Sequence, residues 1–353
     1  MTNLPDIART MRARMPWPVG RKILNQNSFP RGQGWDRTLE KLINLSGQPT
    51  ESLAELTIAL REHTFSGEKL SGFYRVKPEK IGKVRDKILK TKVPDSDYSR
   101  LYPVALSDEQ LALQPIGSKL AAIEPTDDGV AVVFSSVRVI TIREEIELSQ
   151  FSDEAANLLE DYQEVFGLRT LRFQAFDVVW LPHNGALIDV RVDFPFGTHH
   201  DVAVAAFAQT VDTFHKLIGE NVLVDELNLF PLIDRIYNDR NEGIVVELGF
   251  GTTTASLKHE KMRRKQLDLR DEQYHKGGKA ALASPIEPFR LSVTWKRNAG
   301  GGLVSNPELS INSSARAAGG ENPTINSVVI RKCMGQADYE FVRSRIETHL
   351  TPP

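Results

Sequence analysis

Asn184-Gly185, set between two runs rich in Val, Leu and Ile, constrains this chain more than any other stretch of it. An Asn-Gly pair tolerates the left-handed backbone of a tight hairpin turn, whose twist matches that of the flanking strands. Leu171 to Leu181 and Ala186 to Phe194 are therefore expected to pair as an antiparallel hairpin. A two-residue turn also sets the register, placing Trp180 opposite Asp189, Val178 opposite Arg191, Asp177 opposite Val192 and Phe176 opposite Asp193. Neighbours along a strand point to opposite faces, so Asp177 points away from Asp189. Asp189, Arg191 and Asp193 share one face, where the arginine can bridge both acids.

That register bears on chemistry. Asp177, Asp189 and Arg191 have the order of a metal-dependent nuclease site, but carboxylates on opposite faces cannot share a metal, and Arg191 stands where such chemistry uses lysine. His199, His200 and Asp201 follow, and with Asp193 they form a cluster of potential metal ligands. Adjacent helical side chains diverge by about 100°, so the two histidines are poorly placed for one ion. A metal-dependent hydrolase or nuclease acting around Asp189–Asp201 is carried as an alternative reading, with no catalytic residue assigned and no metal expected.

The segments around the hairpin describe a mixed body. Gly129 to Arg143 reads as one long strand, or two broken near Ser135-Ser136. Ser152-Asp153-Glu154 opens a helix that Gly167 is expected to close. Thr198 and Asp201 resemble a capping box, after which Ala203, Phe207, Val211, Phe214 and Ile218 trace a buried stripe. A further helix is expected near Pro231, then strands at Ile244–Phe250, Thr252–Leu257, Arg290–Lys296, Glu308–Ser313 and Ile325–Lys332, and a last helix from Gln336 to about His349. Lys258 to Arg270 reads as a basic connector, and Tyr274 to Lys279 as a loop.

Towards the N-terminus, Pro5, Pro16, Pro18 and Pro30 suggest an irregular arm over residues 1–34. Four short helices are expected in a basic domain at 35–105. The first runs from Trp35 to a stop at Ser46-Gly47-Gln48-Pro49, and the second follows Thr50 as N-cap. A short third uses Leu70 and Phe73, and the fourth starts at Pro78 with Ile81, Val84 and Ile88 inward. An acidic α+β domain at 106–257 and a β-rich segment at 258–353 complete the division. The expected fold class is α+β: a small N-terminal helical bundle, then a mixed, mainly antiparallel sheet with packed helices.

Charge separates these blocks. The chain totals −2 over 353 residues, yet 1–105 carries +8, 106–257 carries −16 and 258–353 carries +6. Lys80, Lys83, Lys87 and Lys90 fall in one stripe of the fourth helix, and Lys261, Arg263, Arg264 and Lys265 lie in the densest basic run. Rows of this kind suit phosphate oxygens, or else merely keep a helix face in water. If the four helix lysines each met one phosphate, duplex binding would weaken with a log–log salt slope of about −3.6.

Other classes find no support in the residues. The longest apolar run, Val202 to Ala208, is too short to span a bilayer, so no membrane is expected. Cys333 is the only cysteine, which excludes a disulfide framework and makes a reducing cytoplasm the expected location. The loops at Gly300-Gly301-Gly302 and Gly319-Gly320 lack the Lys-Ser/Thr of a phosphate loop, and Gly249-Phe250-Gly251 lacks a third glycine, so no cofactor is expected. The leading expectation is a non-catalytic nucleic-acid-binding or adaptor protein, with a protein partner or self-association through the α+β body. An assembly subunit without nucleic acid is the second alternative.

Overall fold

In the computed structural model of this chain, which describes residues 3–45, 50–195, 197–252, 256–300 and 302–350, Pro5 and Pro18 start helices instead of interrupting them, while Pro30 lies in a non-helical link. Helices α1 (Leu4–Arg14) and α2 (Trp17–Gln26) carry Pro5 and Pro18 in their first two positions, where a missing N–H costs nothing. The Asn3 side chain accepts the Asp6 N–H at 2.9 Å and caps the first. Residues expected as an irregular arm thus become half of a bundle. Helices α3 (Trp35–Ile43) and α4 (Thr50–Ser66) complete it around Ile7, Met11, Leu24, Leu42 and Leu60. The expected stop at Ser46–Pro49 lies outside the described residues.

The segment with Leu70 and Phe73 is strand β1 (Lys69–Arg75), not a third short helix. Six of its seven residues are buried, and a strand covered on both faces shows no alternation for a sequence reading to detect. Its Gly72 is required by packing, since a Cβ there would meet the Phe207 ring at 2.5 Å. Helix α5 (Pro78–Leu89) begins at its proline and buries Ile81, Val84 and Ile88 as expected, but against the sheet, in a cluster with Val179, Val190 and Phe214.

Short helices α6 (Asp97–Leu101) and α7 (Asp108–Ala112) lead to β2 (Lys119–Pro125) and β3 (Gly129–Glu145), which runs unbroken through Ser135-Ser136. Helix α8 (Asp153–Leu158) stops well before Gly167, which instead lies in β4 (Phe166–Pro182), where a Cβ would come within 2.6 Å of Ile146. The hairpin to β5 (Leu187–Asp193) keeps the expected register at Val178–Arg191 and Trp180–Asp189, turning through Gly185 at φ +99°. Helix α9 (His200–Ile218) has His199 at its cap position and no side-chain cap, so the Thr198–Asp201 box does not form. Its buried stripe is Ala203, Ala206, Thr210, Phe214 and Ile218, with Phe207 and Val211 partly covered.

Helix α10 (Pro231–Asn238) and strands β6 (Ile244–Gly251) and β7 (Leu257–Lys261) follow. The second strand therefore starts where the expected one ended, and residues 253–255 lie outside the described set. Tyr274 to Lys279 is not a loop but part of α11 (Gln273–Ala280), nucleated by the Glu272 carboxylate on the His275 N–H at 2.8 Å. Strand β8 (Glu287–Thr294), the small β9 (Arg297–Asn298) and β10 (Val304–Ser305), and β11 (Glu308–Asn312) come next. Helix α12 (Ala315–Ala318), strand β12 (Val328–Arg331) and helix α13 (Gln336–Leu350) end the chain's described structure.

Ten strands form one sheet in the order β2-β3-β4-β5-β1-β12-β11-β8-β6-β7, and every neighbouring pair is antiparallel. The protein is therefore α+β, an N-terminal helical bundle followed by a large antiparallel sheet with packed helices. Helices α5 and α9 cover one face of the first five strands, and α4 with the bundle covers the other. Across β12 to β7, helices α10, α11 and α13 pack on that second face only. Among the described residues no helix is long and apolar enough to cross a membrane.

Candidate polyanion-binding face

The face of β11, β8, β6 and β7 that no helix covers is built by strand alternation, and it runs on to the end of β12, whose Val329 is packed with Ala203 of α9. Leu309, Leu291, Val293 and Leu248 point to the helices, so their neighbours Glu308, Ser310, Ser292, Arg290 and Glu247 point away from them. The Ser292 and Ser310 hydroxyls pair at 2.9 Å beneath longer charged side chains. Glu308 holds Lys265 at 2.9 Å and also Lys332. Glu247 holds His259 at 2.9 Å, Lys261 at 3.1 Å and Arg290 at 3.8 Å. Arg331 lies 3.7 Å from Glu68 and over the Phe194 ring.

Glu308 and Glu247 are each shared by more than one lysine or arginine, while Glu68 meets Arg331 alone. Five lysines and arginines meet three carboxylates. Burial alone would raise the Glu308 and Glu247 carboxyls; the cations around them win, and both are held below the usual carboxylate range. Lys332 is depressed, by burial first, while Lys265 is raised because Glu308 outweighs its own desolvation. The cationic ends stay in water: Lys261 is 62% exposed and Lys265 43%. Arg263 and Arg264 lie in the bend just after β7 as exposed residues with no ion pair among the described residues.

The structure divides the sequence-derived sites between two places. Lys80, Lys83, Lys87 and Lys90 sit on α5, but Lys80 pairs with Glu220 and the Lys87 ammonium caps the Ile218 carbonyl at the end of α9. Only Lys83 and Lys90 remain exposed and unpaired among the described residues. Helix α5 packs towards β2 and β4, whereas Lys261 is on β7 at the far edge. Nine strand spacings of ~4.8 Å put those edges about 43 Å apart, so the two basic groups do not merge. Arg290, Arg331 and Lys332 were missed because they are scattered over β8 and the end of β12 and make no run in sequence. The signal was alternation of a cation with buried Val, Leu or Ile.

The Asp189–Asp201 region holds its charges differently. Asp189 is fully buried between Arg191 and Arg343, each at 2.8 Å. Arg191 also reaches Glu340 at 3.0 Å and lies over Tyr339. The expected bridge from Arg191 to Asp193 is absent. Asp193 instead takes Lys69 at 2.6 Å and Arg14 at 2.8 Å, because β1 and α1, which carry those cations, pack directly against it. Burial would raise the Asp193 carboxyl, but these two cations hold it well below the usual range. Asp177 turns to the opposite face, onto Arg138 and Thr210, as the register requires.

Beside Arg14 and Asp193, a cavity of about 110 Å³ is bordered by His63, Glu68, Leu106 and Gln174. Both His63 ring nitrogens lack a hydrogen-bond partner among the described residues, and burial, reinforced by Arg14 and Lys69, lowers its pKa to about 3. Asp239, Glu242 and His349 converge within metal-ligand reach, but the Glu242 carboxylate already receives Arg345, His349 and the Trp295 Nε1–H. No protein-family model, curated protein or solved structure matches this chain.

Proposed function

We propose that this chain is a non-catalytic nucleic-acid-binding protein whose phosphate contacts are made by the helix-free face of β11 to β7 and the adjoining end of β12. The observation that carries the reading is the excess of cation there, five lysines and arginines over three carboxylates, with the exposed Arg263 and Arg264, unpaired among the described residues, in the bend that follows β7. A phosphate backbone laid across the strands would take up the surplus positive charge and release counterions. Lysine and arginine ends already gathered on a rigid sheet lose less freedom on binding than those of a mobile tail. The acidic middle block, 106–257, keeps the whole chain near neutrality, so any attraction of a polyanion is regional.

Fluorescence anisotropy with labelled duplex and single-stranded probes, titrated over a range of salt, tests this. The variant Arg263→Gln/Arg264→Gln/Arg290→Gln should flatten the duplex salt slope by about 2.7, at roughly 0.9 per phosphate contact. Lys83→Gln/Lys90→Gln on α5 should leave the slope as it is. Equal slopes for the wild type and the triple variant, with the fold intact by circular dichroism, would reject the sheet face as the contact.

A further inference from the structure

The outer part of the β3–β4 hairpin and the last turn of α5 are complementary surfaces that one chain cannot bring together. β2 pairs with β3 only as far as Ser135, and β5 pairs with β4 only at Val178 to Trp180. The seven pairs from Val139–Arg172 to Glu145–Phe166 therefore form a ribbon with no third strand among the described residues. At ~3.4 Å per residue it extends about 20 Å, and α8 at its tip buries none of its own residues. A two-stranded ribbon is marginal in water unless something packs on it. This one presents Leu158 at 81%, Leu168 at 78% and Tyr162 at 63% exposure. Residues 143–169 carry eight carboxylates against two arginines, and Glu160, Asp161 and Glu164 are exposed with no ion pair among the described residues.

The end of α5 has the opposite character. Lys83, Lys90 and Lys92 are exposed and unpaired among the described residues, and Leu89 beside them is 48% exposed. Arg85 donates to the Pro182 carbonyl at 2.8 Å, which anchors α5 at one end of β4, while the ribbon leaves from the other. Ten residues of strand from Arg172 to Pro182 span about 34 Å, so the ribbon does not reach α5 of its own chain. Two copies lying antiparallel bring each ribbon to the other's α5, and such an arrangement closes on itself with two-fold symmetry.

We propose that two copies of this chain form such a dimer, the acidic, apolar ribbon of each docking on the Lys83–Lys92 end of α5 in the other. Sedimentation velocity of the full chain at low salt should show a dimer that dissociates as salt rises. Lys83→Glu/Lys90→Glu and Glu160→Lys/Glu164→Lys should each weaken dimerisation by roughly tenfold or more. Mixing these two variants should restore much of it, because one contact is then wild type on both sides and the exchanged charges oppose each other at the second. Leu158→Ser/Leu168→Ser should weaken the dimer without altering its salt dependence. A wild-type monomer throughout the micromolar range, a dimer indifferent to both charge variants, or a mixture that stays monomeric would each overturn the proposal.

Discussion

The two halves of the sheet solve the same problem in different ways. Strands β3, β4, β5 and β1 are covered on both faces, and charges caught between the layers are locked into closed groups such as Asp189 with Arg191 and Arg343. Strands β11, β8, β6 and β7 are covered on one face, and their charges lie on the other, shared loosely and in contact with water. Burying a charge demands a partner of good geometry, whereas an exposed pair is worth little. The difference teaches where charge is structural in this molecule and where it is free for other work.

The largest break in that comparison comes from Asp189→Ala. It would leave Arg191 and Arg343 buried without their shared carboxylate, and should cost about 3–5 kcal/mol in chemical denaturation. His63 gives the next effect. Its folded pKa of about 3 lies below the ordinary 6.5, so the unfolded chain binds the proton that the folded one refuses. Stability is then complete above pH 6.5 and falls towards pH 3, with a limiting slope of about 1.4 kcal/mol per unit. His63→Gln should remove that slope from urea midpoints measured down to about pH 4.5. Asp193 titrates in a separate window, since its lowered pKa keeps its contribution intact until the pH drops below the ordinary carboxylate value. The smallest change is expected on the open face, where Arg290→Gln should alter stability by under about 1 kcal/mol, its 3.8 Å contact with Glu247 being partly solvated. A loss there as large as that for Asp189 would erase the distinction between the halves.

Much of the one-face-covered half was legible. Strands β8 and β11 and helices α10 and α13 lie close to their expected positions because alternation and helix-start prolines are local signals. The fully covered half hid more. β1 read as helix, since six consecutive buried residues carry no period of two. Pro5 and Pro18 read as interruptions because only the finished bundle shows them occupying first turns. The candidate face was half legible: Lys261 and Lys265 stood in a basic run, while Arg290, Arg331 and Lys332 reach the same surface from strands far apart in sequence.

By itself the sequence determined the hairpin at Asn184-Gly185, its register, and hence that Asp177 and Asp189 lie on opposite faces. Those are consequences of turn geometry and strand period, which act over a few residues. Only the tertiary structure decided that Asp193 belongs to Arg14 and Lys69 instead of Arg191, that Lys80 and Lys87 are spent within the chain, and that one half of the sheet stays open. Which cation reaches a carboxylate depends on layers packed from distant segments, and electrostatic attraction has no sequence period to reveal it in advance.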